Sequence, residues 1–160
     1  MARPSRPVRF TAGLAVIAVA AALLFAANPG PVLVVERVDG GETVLTEPVE
    51  NGSTVGLEYT HSVEKSRVYD GYTVRGDRLV MTRMEFESYG WGLPAGANVT
   101  EENGTLVFDP PGVYESITVQ PGAIAGHRLH VGGHTYDLYE RSGGRAVRLS
   151  VQRRSPLDLL

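Results

Sequence analysis

The chain has 160 residues, of which 42% are hydrophobic and 21% are charged, so it has room for one folded domain and a short appendage. It contains no cysteine, which excludes disulfide bonds, thiolate metal sites and thiol redox chemistry. Three of the 15 basic residues precede the first apolar run, while all 18 acidic residues follow it. The part after that run has a net charge of 12 minus 18, or −6, which disfavours nucleic acid as a partner.

The N-terminal segment predicts a membrane anchor. Residues 1–9 are basic, residues 10–27 hold no charge, and Asn28-Pro-Gly-Pro31 ends any helix and forms a linker. As a helix, residues 10–27 would be about 27 Å long, close to the roughly 30 Å thickness of the hydrocarbon core. A cleaved signal peptide is the alternative, because a cut after Ala22 satisfies the small-residue rule. We expect a retained single-pass signal anchor, with the basic end in the cytoplasm and the remainder outside the cell membrane.

Residues 32–152 predict an antiparallel β-domain, followed by a tail at residues 153–160. The 19 glycines and 10 prolines are spread singly along the chain, which suits short strands joined by tight turns. The predicted strands are 32–38, 43–46, a strand that ends within 57–64, 68–74, 78–86, 105–108, 117–119, 127–131, 134–139 and 146–151. With roughly nine or ten strands and no helical periodicity after the anchor, the expected fold is a compact antiparallel β-sandwich or barrel.

The stretch Leu57–Glu64 predicts a strand that runs into a polar site. In an extended strand His61 and Ser62 point to opposite faces, so their adjacency makes no nucleophile and base pair unless the chain bends. The side chains of His61 and Glu64 face the same opening at the end of the strand if the chain turns after Ser62. A carboxylate beside an imidazole can transfer a proton, orient the histidine or contribute to a metal site. The alternative is a polar pair that fastens the strand end to a neighbouring loop.

A second polar stretch, Ser88–Pro94, is a glycine-rich loop with one tryptophan. Its glycines permit close backbone approach, and its aromatic side chains offer rigid amphipathic area. The hairpin 68–86 separates the two stretches, and its return strand brings this loop back beside the first stretch. We therefore predict one exposed binding site that consists of His61, Ser62, Glu64, Ser88, Gly90, Trp91, Gly92 and Pro94.

Three further histidines, His127, His130 and His134, have the short spacings common among zinc ligands. If Gly132-Gly133 is a two-residue hairpin turn, His130 pairs with Thr135 and lies on the opposite face from His134. His127 and His134 share a face but lie about 13 Å apart. The sequence therefore predicts neither a metal site nor a cofactor.

Three Asn-x-Ser/Thr sequons begin at Asn51, Asn98 and Asn103, each within a predicted turn or loop. They fit an exterior domain in which a glycan can be accommodated. The alternative is that Asn-Gly turns followed by Ser or Thr arise from turn chemistry alone.

The motif His61-Ser62-Val63-Glu64, preceded by Tyr-Thr and followed by Phe86-x-Ser88-x-Gly90-x-Gly92-x-Pro94, resembles the family called domain of unknown function 1850. The resemblance covers residues 32–151. Trp91 departs from it, because a small residue lies between the two glycines in the family. Members look like small exported or membrane-anchored proteins found with tripartite ATP-independent periplasmic (TRAP) transporters, particularly those with a TAXI-type solute receptor. The resemblance implies an accessory role at the membrane exterior and supplies no established reaction.

Two functions therefore compete. The first is a non-enzymatic accessory domain that binds a TRAP permease, a TAXI solute receptor or the transported ligand. The second is an extracytoplasmic hydrolase or metal-dependent enzyme centred on His61 and Glu64. An enzyme needs a nucleophile or metal ligands that converge on this pair, whereas a docking module needs only an exposed apolar or aromatic patch. The sequence favours the accessory domain.

Overall fold

A computed structural model describes residues 30–89 and 98–153 of the chain. These residues form twelve strands and one short helix, which confirms the prediction of a mostly β, antiparallel fold. The elements are β1 (Pro31–Arg37), β2 (Thr43–Pro48), β3 (Thr54–Thr60), β4 (Arg67–Arg75), β5 (Arg78–Phe86), β6 (Val99–Glu102), β7 (Thr105–Phe108), β8 (Gly112–Tyr114), β9 (Ser116–Val119), β10 (Arg128–Val131), β11 (His134–Asp137), α1 (Leu138–Ser142) and β12 (Val147–Arg153).

No helix within residues 30–89 and 98–153 is long and apolar enough to cross a membrane. The anchor predicted at residues 10–27 lies outside the described residues, as do residues 28, 29 and 154–160. The single-pass anchor therefore stays a prediction.

The strands form two antiparallel sheets. A four-stranded sheet has the order β2-β1-β12-β9, and an eight-stranded sheet has the order β11-β10-β3-β4-β5-β7-β6. The eighth strand, β8, pairs with residues 79–81 of β5, and β7 pairs with residues 84–86 of the same strand. The β10–β11 hairpin has the predicted register, with His130 opposite Thr135, because Gly132 and Gly133 both adopt positive φ in its turn.

One hydrophobic core receives side chains from both sheets. Alternate residues of each strand point inward, as Leu33 and Val35 of β1, Leu57 of β3, Leu129 of β10 and Leu149 of β12 do. Each of these side chains is buried, and full burial of one such group stabilises a fold by about 1.5–3 kcal/mol. The core therefore holds the end of β3, where the candidate site begins, in a fixed position.

The prediction of a continuous strand over residues 134–139 is wrong at its end, and so is the expectation that no helix follows the anchor. The strand stops at Asp137, whose Oδ1 accepts a hydrogen bond from the Glu140 backbone N–H at 2.9 Å and so caps α1. Gly143, with φ of 66°, ends the helix in the left-handed region. The strand count was also too low, because β6 and β8 were not predicted.

Candidate functional site at the end of strand β3

The chain bends immediately after β3, as the predicted site required. The His61 N–H donates to the Ser66 carbonyl at 2.9 Å, and the Lys65 N–H donates to the His61 carbonyl at 3.0 Å. The His61 Nδ1 accepts the backbone N–H of Glu64 at 3.2 Å, so the neutral ring carries its hydrogen on Nε2. This contact between His61 and Glu64 thus involves the Glu64 backbone, while its exposed side chain faces solvent.

Lys65 closes this turn in a conformation that is rare for a lysine. Its φ is 55°, in the left-handed region, which costs a residue with a Cβ about 1–2 kcal/mol. The turn hydrogen bonds hold the backbone there, and the Nζ donates to the Ser62 carbonyl. The ammonium group consequently lies within the turn, against the Ser62 carbonyl.

A pocket of about 470 Å³ lies beside the turn. One wall is polar and comes from the end of β3 and the turn, with Thr60, His61, Ser62 and Lys65. The other wall is mainly apolar and comes from residues 122–125 together with Tyr139. Its size is within the range of pockets that bind small organic molecules.

The loop that forms the apolar wall is fastened to β3 by hydrogen bonds and stacking. The Thr60 N–H donates to the Ala125 carbonyl at 2.8 Å, and the Gly122 N–H donates to Nδ1 of His127 at 3.3 Å. The His127 ring stacks on Tyr59, with ring centroids 5.3 Å apart. Burial lowers the pKa of His127, which favours the neutral ring that accepts the Gly122 bond. His127 therefore positions this loop.

Exposed apolar side chains occur in the apolar wall of the pocket, in the His61 turn and just after β5. Ile124, in its apolar wall, is 87% exposed, and Val63, in the His61 turn, is 62% exposed. Tyr139 is also exposed, and Tyr89 is exposed while its ring packs edge-on against Phe86 at 5.9 Å. Apolar surface concentrated around a polar pocket is a common feature of interaction sites.

The structure places the beginning of the second predicted stretch close to the first. The Oγ atoms of Ser66 and Ser88 are 3.3 Å apart, so the hairpin does return the chain to the His61 turn. The remaining predicted residues of that stretch, Gly90, Trp91, Gly92 and Pro94, lie outside the described residues. Their share in the site stays a prediction.

A buried carboxylate lies close to the site, on the inner face of the eight-stranded sheet. Asp70 of β4 is 8% exposed and faces Leu57 of β3 in the strand register. Burial raises its pKa to about 6, although a hydrogen bond from the Tyr59 hydroxyl opposes this shift. Burial, together with the charge of Asp70 and the hydrogen bond to it, raises the pKa of Tyr59 to about 12. Within the described residues, Asp70 Oδ1 has no hydrogen-bond partner.

The outer face of the same sheet carries a ladder of opposite charges. Arg67 contacts Glu58 at 2.9 Å and Glu85 at 3.0 Å, and Arg83 contacts Glu85 at 2.7 Å and Glu102 at 2.8 Å. Burial alone would raise the pKa of Glu58, but the hydrogen bond and charge of Arg67, with other nearby cations, lower it. The ladder therefore pairs each of these charged groups with at least one group of opposite charge.

The two histidines of the β10–β11 hairpin contact different partners, one within the hairpin and one on β2. His130 Nδ1 lies 3.0 Å from the Thr135 hydroxyl, and His134 Nδ1 lies 3.7 Å from Glu47. Across residues 30–89 and 98–153, no group of three or more His, Cys, Asp or Glu side chains is arranged to hold a metal ion.

The three sequon asparagines are exposed. The Asn51 Oδ1 accepts the Gly76 N–H at 2.6 Å, which joins two turns, and Asn103 has the positive φ of its own turn. Their modification stays a prediction.

Sequence reasoning identified the His61 turn but missed the apolar wall, Tyr139 and the Asp70–Tyr59 pair. Residues 122–125 match no known motif, although Gly122 at their start and Gly126 directly after them indicate a turn. Asp70 lies between Val68 and Tyr72 on alternate positions of a strand, a pattern that places its side chain inward. That alternation was a usable signal for the buried carboxylate.

Comparison with known proteins gives one match. The sequence model of the family described as Domain of unknown function (DUF1850) matches residues 55–138, which is 84 of the 160 residues. A search of curated proteins and a search of solved structures each found no match. The matched segment contains the His61 turn, Asp70 and residues 122–125, whereas β1, β2 and β12 lie outside it.

Proposed function

The chain belongs to the family Domain of unknown function (DUF1850), and we propose that it is a membrane-anchored extracytoplasmic accessory domain. In this proposal residues 10–27 anchor the chain, and the pocket at the end of β3 binds a component of a TRAP transporter of the TAXI type, or the ligand of that transporter. The link to this transporter class rests on the sequence resemblance of the His61 turn and the loop after β5. The pocket itself supports binding on physical grounds.

The observation that carries the proposal is the apolar surface around the pocket. Ile124 is 87% exposed, so a folded chain without a partner leaves almost all of this side chain in water. Covering one such side chain at an interface removes apolar surface from water and is worth about 1.5–3 kcal/mol when burial is complete. Tyr139 lines the same pocket and is also exposed, and Val63 is exposed in the adjoining His61 turn. The polar wall beside them supplies directional hydrogen-bonding groups, as binding sites usually do.

The geometry supports binding better than catalysis. A general acid or base must reach the proton it transfers, and a nucleophile needs an adjacent base. The contact described between His61 and Glu64 uses the Glu64 backbone N–H, which orients the ring but transfers no proton. His61 and Ser62 do line the pocket together, and both are suited to hold a ligand there.

The proposal is tested by recovering the full chain from the membranes of its own host. After cross-linking in intact cells and solubilisation in mild detergent, we expect mass spectrometry to identify a TRAP permease or a TAXI solute receptor. Ile124→Glu should reduce the recovered transporter at least about tenfold, because losing the burial of one isoleucine exceeds 1.4 kcal/mol. Its stability should change by no more than about 0.5 kcal/mol, since the side chain already lies in water.

Val113→Glu is the matched control. Val113 is 62% exposed and lies on β8, which pairs with the end of β5 remote from the His61 turn. This variant should recover as much transporter as the unmodified chain. Equal recovery with Ile124→Glu, or a cross-linked sample in which no transporter component is identified, would contradict the proposal.

A further inference from the structure

The polar groups of the pocket are unbalanced in charge. Its polar wall has one cation, Lys65, together with the hydroxyl groups of Thr60 and Ser62 and the imidazole of His61. No aspartate or glutamate is among the described residues that line it. The chain after residue 27 has a net charge of 12 minus 18, or −6, so this local excess of positive charge runs against the average. Such a wall favours an anionic group.

Lys65 is held in place before any ligand arrives. The bond from its Nζ to the Ser62 carbonyl keeps the ammonium group at the rim of the pocket that Lys65 lines. An ammonium group has three donors, so two remain for a ligand after this bond. A side chain that is already ordered loses less conformational entropy when it binds. The cation is therefore well placed to pair with a carboxylate.

The apolar residues of the pocket indicate the remainder of the ligand. Ile124 and Tyr139 line the same pocket of about 470 Å³ as the polar groups and add apolar surface to it. We propose that the pocket binds a small organic acid, whose carboxylate pairs with Lys65 and Ser62 while its apolar body packs against Ile124 and Tyr139. The inference rests on the proposed function, since it takes this pocket as the binding surface.

The test uses the full chain in lipid nanodiscs and measures binding from the Ile124 methyl signal in NMR spectra. The probes are phenylacetate, its neutral isostere phenylacetamide, and an acetylated Gly-Gly-Leu tripeptide with a free C-terminal carboxylate. Phenylacetate should bind about tenfold more tightly than phenylacetamide, as expected for one charge-assisted hydrogen bond. Lys65→Met should abolish this preference, whereas Lys65→Arg, which keeps the cation, should preserve it.

Each other outcome overturns the inference. Equal affinity for phenylacetate and phenylacetamide would show that charge has no part in recognition. Tighter binding of the tripeptide than of phenylacetate would assign the pocket to a peptide C-terminus in place of a small acid. If phenylacetate fails to bind while transporter recovery still depends on Ile124, the inference fails and the proposed function stands. If that dependence is absent as well, both fail.

Discussion

Replacing the buried Asp70 with asparagine should change how the stability of the domain depends on pH. Asp70 is 8% exposed, and burial raises its pKa from 3.8 to about 6 against the opposing hydrogen bond of Tyr59. Between these two values the folded protein binds a proton that the unfolded chain releases. The stabilisation from that proton is therefore complete below pH 3.8 and is lost as the pH rises through about 6.

The size of the effect follows from the same two values. A rise in pKa from 3.8 to about 6 corresponds to about 3 kcal/mol, at 1.36 kcal/mol for each pKa unit. Asparagine keeps an oxygen that accepts from Tyr59, but it buries an amide N–H₂ group, which costs about 1–3 kcal/mol at every pH. Relative to the unmodified chain, Asp70→Asn should therefore gain about 3 kcal/mol of stability between pH 3.5 and pH 8.

The assay is urea unfolding of the full chain in detergent, followed by circular dichroism at several pH values. Other groups that titrate, such as His127, are present in both proteins, so most of their contribution cancels in the difference. Asp77→Asn is the control, because it removes a carboxylate whose side chain is 77% exposed. The difference in stability between this variant and the unmodified chain should not vary with pH. An Asp70→Asn difference that varies by less than about 0.5 kcal/mol across this range would refute the reasoning.

Three further predictions concern packing, capping and topology. Gly56→Ala should destabilise the domain by about 1–3 kcal/mol, because a Cβ there would lie 2.4 Å from Tyr69 Oη. In a double-mutant cycle measured by urea unfolding, Gly56→Ala should cost much less in a Tyr69→Ala background. Strictly additive losses would contradict the clash. Asp137→Ala should lower the free energy of unfolding by about 1 kcal/mol in the same assay, because it removes the side-chain oxygen that accepts the Glu140 N–H. Asp137→Asn keeps such an oxygen and should lower it less, so equal losses would argue against a capping role. Protease given access to the outer face of intact cells should remove the β-domain, because basic residues before the uncharged run keep the N-terminus inside; protection until lysis would overturn this topology.

The sequence predicted those strands whose ends are set by tight turns. The predicted strands 78–86 and 105–108 coincide with β5 and β7, and the His130–Thr135 pairing is confirmed. A two-residue glycine turn determines the register of its hairpin locally, so no distant contact is needed to predict it. Strands β6 and β8 were missed because they are short and largely exposed, and they are defined by pairing with neighbours. The five residues of α1 are too few to show a helical period.

Only part of the polar wall was predicted. Its residues Thr60, His61, Ser62 and Lys65 lie close together in the sequence, and His61 and Ser62 are the two that were predicted to bind. The apolar wall comes from residues 122–125, which reach β3 only because β10 pairs with it. That pairing joins segments about 70 residues apart, and the alternation of apolar and polar residues within either segment does not predict which strand it pairs with.

The pairing of β1 with β12 has a consequence for when the domain can fold. These strands contain the first and last described residues of the β-domain apart from Gly30, yet they lie side by side in the middle of the four-stranded sheet, from Pro31 opposite Arg153 to Arg37 opposite Val147. Of the twelve strands, β1 is synthesised first, and it has only β2 to pair with until β12 has also been made. Contacts so distant along the chain slow folding, because a large loop must close before they form. The apolar side chains of β1 that pack beside β12 therefore stay uncovered in the nascent chain until β12 has been made, and the four-stranded sheet is completed only then.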